Sequence, residues 1–212
     1  MSSMQARMLG LLVLTPAIVF AARAQQSQAA NPRLDAPSFM FARYATASAA
    51  TLYAARGFGP VGVFVGMVQN PKTPYRELIA GTYTQLTAGR QSVLVALGYA
   101  DATESEYLQT YVMPSLSKGP LTFSGTIEWY EPMKRSGTRQ LDVNPISLVI
   151  RVNKRFGLGA VYTLGLAEGG LPQQRGGPKL ELTAAWGVLR VELLRRSSGE
   201  STEMRTAILA GF

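Results

Sequence analysis

The sequence contains no cysteine and no histidine. The first absence excludes disulfides, thiol nucleophiles and cysteine-based metal sites. The second removes every mechanism that needs an imidazole base or an imidazole metal ligand. Charge is also scarce, at 16% of residues against roughly 25% in an average soluble domain. The first apolar run, Met8–Ala22, is broken by Pro16 and is shorter than the roughly 20 residues a helical membrane span needs. After it, no segment keeps a helical period. No phosphate loop, G-x-S-x-G elbow or zinc-type spacing occurs. Gly57-Phe58-Gly59-Pro60-Val61-Gly62 formally matches the dinucleotide fingerprint, but that chemistry needs a helix to follow. Here Pro60 and an alternating segment follow, which reads as a turn.

The N-terminal segment reads as an address. Arg7 is followed by the apolar run, and Ala22-Arg23-Ala24 puts small residues at the two positions a signal peptidase reads. Residues 1–24 are therefore expected to be a secretory signal peptide, 25–37 a polar, flexible leader, and 38–212 one β domain. Export without cysteine means that stability comes from a core, from lipid or from closure of a hydrogen-bonded sheet.

From Ser38 onward the dominant period is two. Val61, Val63, Val65 and Met67 alternate with Gly62, Phe64, Gly66 and Val68. The same alternation sets Ile146, Leu148 and Ile150 against Ser147, Val149 and Arg151, and Leu180, Leu182 and Ala184 against Glu181 and Thr183. Leu189, Val191 and Leu193 oppose Arg190 and Glu192. Residues two apart share a face of a strand, so each run is a two-faced strand. Gly-, Pro-, Asn- and Ser-rich breaks separate the runs, the pattern of an all-β sandwich or barrel. Ala42–Ala55 is rich enough in alanine to suit a helix, but its Tyr, Thr and Ser content favours strand.

Opposite the apolar set lies a small, polar face of Gly, Ser and Thr with a few charges: Glu128, Arg151, Glu181, Arg190, Glu192, Glu203 and Arg205. Two architectures share this pattern. A soluble lipocalin-like barrel in the periplasm puts the apolar set inside, around an apolar ligand. A membrane barrel puts it in lipid and the charges in the lumen. Aromatics near strand ends, Tyr75, Tyr107, Trp129, Tyr130, Phe156, Trp186 and Phe212, suit the interfacial girdles of the second.

The closing segment decides between them. Met204, Thr206, Ile208, Ala210 and Phe212 alternate with Glu203 and Arg205 and end on an aromatic ring. Here the chain resembles bacterial outer-membrane β-barrel proteins of the porin-like kind, whose last strand commonly ends in Phe. The resemblance implies a closed, antiparallel, up-and-down transmembrane β-barrel in the outer membrane of a Gram-negative-type bacterium. It implies Phe212 as the signal read by the barrel-assembly machinery, and outer-membrane lipid and lipopolysaccharide as surroundings.

The strand count is expected at ten to twelve, or eight if real strands have been split. Twelve follows if the chain folds back near Trp186-Gly187, which puts the long 131–139 and 168–177 loops on the outer side with the 197–201 loop. The expected function is non-enzymatic: a small channel or structural barrel passing a small solute, with the seven strand charges lining the lumen as ion pairs. An enzyme acting on lipid is the minority reading, since no imidazole is present. No cofactor, metal or nucleic-acid partner is expected. Asp101, Glu104 and Glu106 form an acidic loop that binds calcium weakly at best.

Overall fold

The computed structural model describes residues 31–47, 49–103, 105–197 and 202–212. The expected signal peptide, the first part of the leader, Glu104 of the acidic loop and most of the 197–201 loop lie outside the described residues.

Twelve antiparallel strands close into a barrel: β2 (Phe39–Ala45), β3 (Ala50–Phe58), β4 (Val61–Gln69), β5 (Arg76–Ala88), β6 (Gln91–Ala102), β7 (Glu106–Lys118), β8 (Leu121–Pro132), β9 (Gln140–Arg151), β10 (Phe156–Ala167), β11 (Gln173–Ala184), β12 (Gly187–Arg196) and β13 (Glu203–Gly211). Each strand pairs with the next in sequence, and β13 pairs with β2 to complete the ring. Closure pairs these strands along most of their length, and the longest overhang is where β5 outruns β4. There a short first strand, β1 (Arg33–Asp35), continues the sheet by pairing with Gln85–Thr87. The last part of the expected leader thus belongs to the fold.

Twelve is the upper end of the expected range, and eight is excluded. The chain does fold back at Ala185–Trp186. The turns at 59–60, 89–90, 119–120, 152–155 and 185–186 gather at one end, with both ends of the barrel chain. The longer connections, including 133–139 and 168–172, gather at the other. We call these the turn end and the loop end. The first three turns share one solution: Gly59, Gly89 and Gly119 lie at φ of 77°, 59° and 58°. A first central glycine with positive φ gives the hairpin twist that joins adjacent strands, so the G-x-G-x-x-G match is a hairpin turn.

The apolar set faces outward. Ile150 and Leu182 are 48% and 40% exposed, and Val61, Val63, Val65 and Met67 form one continuous exposed row on β4. Similar rows run over β6, β10, β12 and β13, through Leu97, Leu158, Leu193 and Ile208. A soluble monomer rarely exposes an apolar patch larger than a few hundred Å². This girdle suits acyl chains, and the lipocalin-like alternative, which needs these residues inside, is set aside.

Two expectations about faces need correction. Tyr107 and Tyr130 do not join an interfacial girdle. Their register partners put them in the lumen, where the rings pack edge to face at 6.5 Å. Tyr75 likewise donates its hydroxyl to Glu77 at 2.6 Å. Phe58, Phe123, Trp186 and Phe212 at or near the turn end, and Tyr44 and Tyr99 toward the loop end, are the exposed outward aromatics among the described residues. Further, the inward face is not small and polar throughout, since aromatic and aliphatic side chains fill it over β2–β7.

Candidate functional site: a lumen with two unlike walls

Over β2–β7 the inward positions are aromatic and aliphatic. Phe64, Ile79, Tyr83, Ala96, Ala100 and Tyr111 are buried in one cluster, flanked by Phe39, Tyr53, Leu94 and Met113. The rings interlock edge to face, Tyr53 with Phe64 at 6.1 Å and Phe64 with Tyr111 at 6.4 Å. Inward glycines make the room: a Cβ on Gly66 would overlap the Tyr53 ring, and one on Gly62 the Tyr83 ring. The buried hydroxyls are satisfied in a chain. Tyr53 and Tyr111 share a hydrogen bond at 3.3 Å, Tyr111 donates to Gln109 Oε1, and Gln109 Nε2 donates to Glu77 Oε1 at 2.8 Å. A buried polar group must be paired in this way or it destabilises the fold.

Over β8–β13 the inward positions carry charge. Six of the seven residues singled out in the sequence line this wall, and Arg151 lies at its turn-end rim, exposed, donating to Thr183 Oγ1 at 3.0 Å. Glu181 accepts from Lys179 at 3.1 Å and from Arg190 at 3.0 Å. Lys179 also donates to Ser147 Oγ at 2.6 Å. Glu203, fully buried, accepts a hydrogen bond from Arg205 at 2.8 Å and forms an ion pair with Arg175 at 2.8 Å. Glu192 stands in register between Lys179 and Arg205, so its strand position lies between the two groups. Arg175 reaches Glu203 over β12, above the buried Leu194. Glu128 accepts from Tyr130 at 2.8 Å and sits opposite Asp142, which accepts from Gln140 at 2.8 Å.

From Glu181 near the turn end to Arg175 near the loop end is six residues of strand, a rise of about 20 Å. The charges therefore form a ladder along the lumen rather than one cluster. Arg43, inward on β2, extends it across the closing seam. The Nε atoms of Arg43 and Arg175 are buried and carry no hydrogen bond.

Sequence reading missed Arg43, Glu77, Gln109, Asp142, Arg175 and Lys179. Arg175 lies in a Gly- and Pro-rich stretch read as a loop, and Lys179 falls between that stretch and the strand read from Leu180; the parity both share with Glu181 was the usable signal. Asp142 was hidden by a bulge. The register of β9 against both neighbours shifts around Asn144–Ile146, so residues on its two sides face inward with opposite parity.

At the loop end, Lys134 pairs with Glu106, whose carboxylate holds the ammonium above its usual range. Arg139 pairs with Glu131 and lies 6.0 Å from the Trp129 ring. Among the described residues, no group of acidic side chains is arranged to hold a metal ion.

No family model matches the sequence, and no curated protein matches it. Solved structures do. The KdgM porin in complex with disordered oligogalacturonate is similar with a TM-score of 0.60 at 11% identity, over 82% of this chain and 98% of that one. The NanC porin is similar with a TM-score of 0.55 at 10% identity, over 82% and 98%. The fold is that of small outer-membrane porins: an all-β, closed, antiparallel barrel of twelve strands.

Proposed function

We propose that this chain is a small outer-membrane channel whose solute path follows the charged ladder, and that it favours acidic, sugar-like solutes. The short turns then face the periplasm and the long loops the exterior. The aromatic cluster fills one side of the lumen, so a polar solute is confined to the other. There the cations Arg43, Arg175, Lys179, Arg190, Arg196 and Arg205 face the carboxylates Glu128, Asp142, Glu181, Glu192 and Glu203, which leaves a small positive excess. Such an excess concentrates anions in a narrow, low-dielectric passage.

The observation that carries this reading is the pair of unpartnered guanidinium Nε groups on Arg43 and Arg175. A planar guanidinium matches the geometry of a carboxylate. The oligogalacturonate held by the similar KdgM porin, a chain of uronic acids, has that chemistry. The lumen ion pairs then act as selectors, and Phe212 serves as the assembly signal on the closing strand.

Purified barrel in planar bilayers under a potassium chloride gradient tests the proposal. The reversal potential should show anion preference, and trigalacturonate should reduce the current. Arg43→Gln with Arg175→Gln should weaken both effects. Cation preference, or no conductance from the correctly folded protein, would overturn it.

A further inference from the structure

We propose that residues 33–38 form an internal strap that narrows the turn-end mouth and limits the size of solute that leaves it; this rests on the channel reading above. β1 pairs with β5 beyond the point where β4 has turned. From there the chain must pass β4 and β3 to reach β2. It does so on the lumen side of the wall, because Ala36 is 5% exposed and packs in the cluster with Ala55, Phe64 and Tyr83. All of those side chains point inward.

Three contacts hold the strap. The Tyr83 hydroxyl donates to the Pro37 carbonyl at 2.6 Å. The Gly57 amide donates to Ser38 Oγ at 3.0 Å. The Ala36 carbonyl oxygen occupies the place a Cβ on Gly57 would take. Asp35 Oδ1 accepts from the Ala36 amide at 2.9 Å where the chain bends inward. Backbone groups inside a barrel must be satisfied, and here two barrel strands supply partners for that purpose. A passive leader needs no partners inside the barrel.

The strap also makes the exit lopsided. Beyond β5, a cavity of about 390 Å³ remains at the same end, lined by Gln85, Thr87, Arg90, Ser92, Ser115 and Ser117. These groups are polar, and Arg90 adds one positive charge at the mouth. A solute released by the arginines would leave along this polar side, past the strap.

The chain has no cysteine, so a single engineered thiol reports on the strap unambiguously. In Ala36→Cys protein, a bulky, membrane-impermeant maleimide should label slowly. Adding Tyr83→Phe with Ser38→Ala, which releases two anchors, should make labelling fast. In bilayers the same released variant, and separately a deletion of residues 33–37, should conduct more and admit a larger polyethylene glycol from the turn side. Heat-dependent gel mobility verifies that each barrel is closed. Rapid labelling of Ala36→Cys alone would overturn the strap, as would unchanged conductance in the closed variants. A slowly labelled strap in a barrel that conducts nothing, intact or released, would overturn the channel and with it the strap's role as a size limit.

Discussion

The two walls of the lumen start from one strand pattern and treat the enclosed space in opposite ways. A barrel of twelve strands is wider than one that side chains fill unaided. The β2–β7 wall answers with rings, of which Tyr53, Phe64 and Tyr83 sit against glycines on neighbouring strands. The β8–β13 wall answers with long charged side chains that hold one another across β11, β12 and β13. One wall gains stability by removing apolar surface from water. The other spends interior space on groups whose desolvation is unfavourable. On the channel reading proposed above, stability and passage divide between two halves of one sheet.

The sharpest way to break this division is at Glu203. It is fully buried between Arg175 and Arg205. Glu203→Gln leaves two buried guanidiniums without their counter-charge, and breaking a buried pair in this way costs about 3–5 kcal/mol. Thermal unfolding followed by circular dichroism in detergent should show this as the largest loss, and bilayer recordings should show stronger anion preference. A melting midpoint equal to the unaltered protein's would mean that the ladder is hydrated and not part of the packed wall.

Gly66→Ala probes the other wall. The added methyl meets the Tyr53 ring, and overpacking typically costs about 1–3 kcal/mol. The midpoint should fall while the reversal potential stays put, because no charge has moved. A shift in selectivity would show that the aromatic wall also lines the solute path.

The smallest effect belongs to Lys134→Ala, which removes an exposed loop pair with Glu106. Surface pairs contribute little. The melting curve and the conductance should both superimpose on those of the unaltered protein. A drop in either would place the 133–139 loop at the channel entrance.

Much of this was readable in the residues. The run from Met204 to Phe212, and the rows on β4, β10 and β12, show which side chains share a face. The alternative fold-back at Trp186-Gly187 carried the right strand count. The aromatic wall was not readable, because β5 and β7 have apolar residues on both faces and alternation is then silent. Tyr107 and Tyr130 were misplaced for the same reason: a ring near a strand end suits lipid headgroups and a lumen equally. The charged wall was half readable. Charges on strands of clear alternation stood out, whereas Arg175 and Lys179 lay among Gly and Pro, and Asp142 lay beyond a bulge.

By itself the order of residues determined the faces of most strands, the turns and the outward greasy girdle, since these depend on neighbours two to four positions apart. Only the closed sheet decided which inward residues meet. Arg175 finds Glu203 two strands away, and Ala36 comes to rest against Gly57, because ring closure and register bring together positions whose separation along the chain carries no local signal.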